Sequence, residues 1–300
     1  MPSPDAMRFA VLALLLGAAA APAAAQADTL AARRVDARRP PLYLVERDGA
    51  KVYLLGSIHV LPIGALPLPA HVEAAYSAAS AVAFEIDLDE AESRALDLLM
   101  AATDEASIGD LLDDDQRETL HASLRSFGLP GPAFDEFEPW FGGMSYGMLT
   151  LRDDAQAFGD GVDAYLFARA VAEGKEVVAL ETLDDQIAAF DDLPEASQVA
   201  YLMGLVAGAE GARAAFDAML DAWASGDDAR LAAVLGDELD HPEVMESLLV
   251  RRNRAWVPQV RALLERRGEV ALVVVGAGHL VGRENVVALL RQSGLKVRRL

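Results

Sequence analysis

Runs, alternations and recurrences of apolar residues assign most elements of this chain. Residues 42–46 (Leu-Tyr-Leu-Val-Glu) and 51–55 (Lys-Val-Tyr-Leu-Leu) flank Asp48-Gly49. That dipeptide tolerates the positive φ of a tight turn, so the spacing predicts a β-hairpin. Residues 69–80 read as a helix and the apolar run 81–86 as a buried strand. Strand, helix and strand in so short a span predict a right-handed crossover with a parallel pair. Apolar residues recur at three- and four-residue spacing over 89–102, 113–127 and 140–152, and a further helix covers 161–173 before Gly174 stops it. A buried strand over 176–180 ends at Glu181. A second helical stretch covers 183–267, broken at Pro194, Gly226 and Pro242. The last unit is an apolar strand over 271–275, the turn Gly276-Ala277-Gly278-His279, a helix over 284–292 and a closing strand over 295–299. The pattern predicts an α/β fold with a mixed, largely parallel central sheet, a β-hairpin start and large helical insertions over 88–160 and 183–267. No fixed-period repeat appears, and no linker demands a second domain within 28–300.

The first residues carry a different message. Arg8 precedes the apolar run 9–21, and Pro22 and a small-residue segment follow through Ala27. This order of basic, apolar and small residues predicts a secretory signal in residues 1–27, cleaved after Ala27. Met7 is an alternative start that leaves Arg8 as a compact basic region. The apolar run is shorter than the roughly 20 residues that span a bilayer. The expectation is a periplasmic or secreted protein without a stable membrane anchor.

Composition narrows the function classes. Among 300 residues, 26 Lys and Arg stand against 47 Asp and Glu, a net charge of −21. Counterion-release binding needs clustered cations, so the balance argues against nucleic acid as a partner and against docking to anionic lipid. A hydrophobic fraction of 53% supports a large core. The chain has no cysteine, which removes disulfide scaffolds, thiolate metal sites and cysteine nucleophiles.

The chemistry concentrates where strands end, the place at which open α/β sheets collect ligands. The first long strand runs into Gly56-Ser57-Ile58-His59. The next leads to Glu85 and Asp87, the third to Glu181, and the last to Gly276-Ala277-Gly278-His279. Imidazole and carboxylate without thiolate is a donor set for Mn, Co, Fe or Zn, which would lower the pKa of a bound water. Glu85 stands out because Phe84 and Ile86 flank it, and a buried carboxylate needs a partner. His71, His121 and His241 fall on helical or capping segments and are not expected to be ligands. Three other patterns are set aside. Gly143-Met144-Ser145-Tyr146-Gly147 matches a nucleophile elbow but lies in a helical region. Gly276-x-Gly278 leaves too little chain after it for a dinucleotide-binding unit. Asp113-Asp114-Asp115 and Asp184-Asp185 read as helix N-termini.

With these motifs in view the chain resembles the TraB/GumN family, related to the Tiki metalloproteases and more distantly to the haem-binding ChaN and erythromycin-esterase families. The resemblance covers residues 42–300. It rests on residues 53–60 with their G-x-x-H, Phe84-Glu85, Gly161-Val162-Asp163, Leu180-Glu181-Thr182 with Gln186, Arg252-Asn253-x-x-Trp256 and the second G-x-x-H ending at His279. Ser57 stands where the family usually has threonine. The resemblance implies that His59, Glu85 and His279 form the divalent-metal-binding and catalytic set, Glu85 as ligand or general base; in the hydrolase reading Arg252 is the catalytic cation that would steady a developing oxyanion. Ser57, Asp163, Glu181 and Asn253 then orient substrate or ligands. The implied activity is a metal-dependent hydrolase acting on peptide. Two alternatives remain: a metal-free esterase-type hydrolase with His59 as base and Glu85 orienting it, and a non-catalytic protein binding haem or another small molecule. For haem, Met144, Tyr146, Met148 and Met203 are the candidate contacts, although their helical spacing reads first as core packing. The expected partner is thus a peptide or small molecule.

Overall fold

The computed structural model describes residues 38–94, 102–103, 105–151, 158–238 and 241–300. The segment read as a signal, residues 1–27, lies outside the described residues, as do parts of the helices expected over 89–102 and 140–152. Eight strands are present among the described residues: β1 (Leu42–Arg47), β2 (Ala50–Ser57), β3 (Val60–Pro62), β4 (Ala81–Phe84), β5 (Phe158–Asp160), β6 (Glu176–Ala179), β7 (Val270–Gly276) and β8 (Val297–Arg299). The central sheet has the order β6-β4-β7-β2-β1-β8. Its β6, β4, β7 and β2 are mutually parallel, and β1 pairs antiparallel with β2 on one side and with β8 on the other. This is the mixed, largely parallel α/β architecture with helical insertions that the hydrophobic pattern predicts.

The hairpin forms as expected. Asp48 and Gly49 take φ of 50° and 86°, and Glu46 pairs with Lys51 across it. The crossover differs from expectation in one respect. Strands β2 and β4 are parallel but not neighbours, because β7 enters between them from the far end of the chain. That insertion brings the second G-x-x-H beside the first.

Strand residues alternate between two apolar layers. Leu55, Val82, Phe84, Leu272 and Val274 face one core, packed by Val72 and Tyr76 of helix Ala70–Ala78, by Leu166 and Phe167 of helix Val162–Glu173, and by Trp223. Leu54, Ala81, Ala83, Val273 and Val275 face the other, covered by Trp256, Val260 and Leu263 of helix Arg252–Leu263 and by Leu290. Burying each large aliphatic side chain contributes about 1.5–3 kcal/mol, so the four parallel strands are held from both sides. A third core lies within the helical insertions, around Ile108, Leu120, Trp140, Phe141, Tyr146 and Leu202.

The second helical stretch breaks at Pro194, Gly226 and Pro242 as read, and also at Gly208. It ends at Leu263, short of the expected 267. The Asp runs are indeed helix starts: Asp113 caps Asp114–Ser126, and Asp185 closes a capping box with Thr182. Ser145 lies inside helix Pro139–Thr150, away from any strand-to-helix elbow. The sequence pattern misses the short helices Ile108–Leu111 and Gly131–Phe134 and a small ribbon. Strands β3 and β5 form this separate two-stranded ribbon, too short to leave a period. Among the described residues no helix is long and apolar enough to cross a membrane.

Candidate active site

The four strand ends singled out by sequence meet at one edge of the sheet. Gly276 is their common point: a Cβ built there would lie 3.3 Å from Glu85 Oε1, 3.5 Å from His279 Cδ2 and 3.6 Å from His59 Nε2. A side chain there would just touch all three groups, so glycine keeps the point between them open. Gly276 also supplies its N–H, which donates to Glu85 Oε1 at 2.6 Å.

Each imidazole is held by its Nδ1. His59 Nδ1 lies 2.9 Å from Asp163 Oδ2. Asp163 is placed by the start of helix Val162–Glu173, where Gly161 packs directly on the first G-x-x-H turn. A Cβ on Gly161 would stand 2.3 Å from the His59 carbonyl and the Ile58 oxygen. His279 Nδ1 lies 2.7 Å from Asn253 Oδ1, and Asn253 Nδ2 donates to the Glu284 carbonyl at 3.1 Å. The amide oxygen accepts only, so His279 carries its proton on Nδ1 and presents a bare Nε2. Anchoring one ring nitrogen so that the other faces inward is the arrangement that orients imidazole ligands at metal centres.

Arg252 forms the base of the cluster. It begins helix Arg252–Leu263 immediately after a turn of π-helix, Glu246–Arg251, a feature frequent at functional sites. Its Nη2 donates to Glu85 Oε2 and to Glu181 Oε1, both at 2.6 Å, and Nε donates to both Glu181 oxygens at 3.0 and 3.1 Å. Nη1 donates to the Leu248 carbonyl at 3.0 Å and approaches His279 Nε2 at 3.3 Å. Trp256, one helical turn on, donates to Glu181 Oε2 at 3.0 Å, with the Arg252 guanidinium over its ring and the His279 ring tilted against it. Gln186 Nε2 reaches Glu85 at 3.3 Å. The guanidinium therefore has its five donor positions directed at protein acceptors, and an oxyanion-stabilising role would require it to release one of them.

The electrostatics follow from burial and from this sharing. Burial alone would push the Glu85 carboxyl up, but the charge of Arg252, helped by the Gly276 N–H, holds it well below the usual carboxylate range. Glu181 is pushed up, chiefly by burial, against the opposing pull of Arg252. Burial lowers His279 to about 3, so it is neutral. His59 is raised to about 9, first by the charge of Asp163. Its side chain is nevertheless 67% exposed.

Two expectations change. Asp87 turns away from the site and caps helix Leu88–Ser93 through Asp89 and Glu90. The group that orients His59 is Asp163, where the metal-free alternative had assigned Glu85. Tyr146 is fully buried in the helical core with Met144 and Met203 packed around it, so these side chains serve packing there. Ser57 pairs in register with Gly276, and its buried Oγ bonds to no described group. Gln186, Trp256 and the Gly276 N–H were not singled out as site groups. The i, i+4 spacing of Arg252 and Trp256 was the available signal for one of them.

For a metal, the donors fit in kind: two anchored imidazoles and a carboxylate, with Glu85 Oε1 3.7 Å from His279 Nε2. As they stand, no three His, Asp or Glu groups among the described residues are close enough to hold an ion together. An ion would also displace Arg252 Nη1 from His279.

An α/β sheet with an imidazole–carboxylate cluster at the carboxyl ends of its parallel strands defines the class. Within that class the chain belongs to the TraB/PrgY/gumN family, whose model matches residues 41–299. It is similar to a protein named "Metalloprotease TIKI homolog" from Amphimedon queenslandica, 29% identical over 46% of this chain and 32% of that one. The match thus spans about a third of that protein. It is also 26% identical to the uncharacterized protein YbaP of Escherichia coli (strain K12), over 80% of this chain and 87% of that one, and equally to its Shigella flexneri counterpart. No solved structure matches the chain.

Proposed function

We propose that the protein is a metal-dependent hydrolase acting on peptide bonds, with His59, Glu85 and His279 as its metal-binding residues. The observation that carries this reading is that side chains of all three approach the position of a Gly276 Cβ within 3.3 to 3.6 Å, an arrangement that would have to draw closer to hold an ion. The similarity to a protein named as a metalloprotease supports the reaction class. A divalent ion of the Mn, Co, Fe or Zn type would supply Lewis-acid polarisation of a water or of the scissile carbonyl.

The chain's own residues prepare that chemistry. Asp163 and Asn253 fix the two rings so that each Nε2 faces the centre. Arg252 offsets the charges of Glu85 and Glu181, which burial would otherwise make costly. Because Arg252 and Gly276 hold Glu85 so far below the ordinary range, it is a poor base at neutral pH, and its role is that of a ligand. The exposed His59 edge is where substrate and solvent enter. The signal read in residues 1–27 supports a periplasmic or secreted setting.

The test is turnover of an unstructured peptide by purified protein, with and without a chelator. Turnover lost on chelation, restored by one of these ions, and reduced at least 100-fold in His279→Ala is expected. Chelator-resistant turnover would contradict the metal and favour a second reading, which the 2.9 Å His59–Asp163 pair supports. In that reading His59, oriented by Asp163, acts as general base without a metal, and because it is raised to about 9 its turnover should rise with pH up to that value. Absence of turnover with any supplied ion would contradict both.

A further inference from the structure

The short ribbon missed by the sequence pattern bears on how a substrate reaches the site. Strand β3 begins at the residue after His59 and pairs antiparallel with β5, Val60 with Asp160, Leu61 with Gly159 and Pro62 with Phe158. Strand β5 then runs through Gly161 into Asp163, the residue that holds His59. Both strands of the ribbon are thus joined directly to the His59–Asp163 pair.

The ribbon has only these two strands, so among the described residues one edge of β5 pairs with nothing. In any three consecutive strand residues at least one directs its N–H and C=O away from the existing partner. An unpaired edge of this kind is a template for another extended chain. Gly159 and Asp160 on that strand are exposed, and no side chain on Gly159 shields its backbone. Beside it stands Ile63, 44% exposed and one of two exposed large hydrophobic residues among those described. Its Cγ1 is 3.7 Å from where a Gly159 Cβ would be. An open edge and an apolar contact therefore lie side by side, and both are continuous with the candidate catalytic histidine.

We propose that an extended peptide adds to β5 as a third strand, its main chain pairing with the 158–160 edge and an apolar side chain packing on Ile63. This strand-addition mode takes affinity from main-chain bonds and selectivity from alternate side chains. It would deliver the peptide past His59 in a fixed register. The inference rests on the peptidase reading for its substrate class.

The experiment uses the whole protein and two fluorescein-labelled libraries of random decapeptides, one ordinary and one N-methylated at every amide. Binding is read by anisotropy, amide hydrogen exchange by mass spectrometry, and cleavage of the ordinary library by chromatography. The expected result is binding of the ordinary library with slowed exchange over 158–160, at least tenfold weaker binding in Ile63→Asp, and no binding of the N-methylated library. Equal binding of both libraries, no binding of either, or unchanged exchange over 158–160 would overturn the proposal. Cleavage without protection of 158–160 removes strand addition and leaves the hydrolase reading standing. Protection without cleavage, whichever ion is supplied, removes the hydrolase reading and leaves strand addition standing.

Discussion

His59 and His279 each leave a central strand through a G-x-x-H turn, yet the two rings occupy opposite settings. His59 is largely exposed, faces a carboxylate and is raised to about 9. His279 is buried, faces an amide and is lowered to about 3. The turn delivers an imidazole to the strand end, while the residue at Nδ1 and the degree of burial decide its charge. One ring is built to exchange protons and contacts with solvent, the other to present a fixed lone pair beside Arg252.

The contrast breaks most severely if Arg252 is removed. Arg252→Ala leaves Glu85 and Glu181 buried without their cation, and loss of one partner of a buried pair costs about 3–5 kcal/mol. Urea denaturation should register that loss, with little change for the exposed Arg254→Ala. Next comes Gly161→Ala, whose Cβ would collide with the backbone at His59. Overpacking of this kind costs about 1–3 kcal/mol, and thermal unfolding should show it together with a shifted His59 resonance.

A smaller change sharpens the comparison at His59 alone. Asp163→Asn should bring the His59 pKa down toward its ordinary value while His279 stays neutral, as NMR titration of metal-free protein would read. Because the folded pKa of His59 is raised, the Asp163 pair stabilises fully below about pH 6.5 and less as pH rises through about 9. The stability difference between wild type and Asp163→Asn should therefore be larger at pH 6 than at pH 10. It should stay at or below about 1 kcal/mol, since solvent screens a ring this exposed. The last effect, one of opposite sign, is expected for Ser57→Ala: its buried hydroxyl has no partner among the described residues, so its removal should stabilise by about 1 kcal/mol, as urea denaturation would read.

Local physics made much of this legible. The Asp48-Gly49 hairpin, the apolar parallel strands and the helix starts at Asp113 and at Asp184-Asp185 follow from short-range rules, and the rule that ligands gather at strand ends pointed to His59, Glu85, Glu181 and His279. The rest depends on contacts distant in sequence. Nothing near residue 270 indicates that β7 inserts between β2 and β4. Nothing near His59 indicates that Asp163 rather than Glu85 binds its Nδ1. The three-residue strands of the ribbon owe their conformation to each other, so neither leaves a period to read. Arg252 was named through the family resemblance, but its division between two glutamates and His279 emerges only from the folded arrangement.

The most direct test is metal content. Purified protein, loaded with Mn, Co, Fe or Zn and exhaustively dialysed, should retain about one ion per chain by elemental analysis. His59→Ala, Glu85→Ala and His279→Ala, each verified as folded by circular dichroism, should retain almost none. Wild-type protein that retains no ion, or the three variants retaining as much as wild type, would contradict the assignment of these residues as a metal centre.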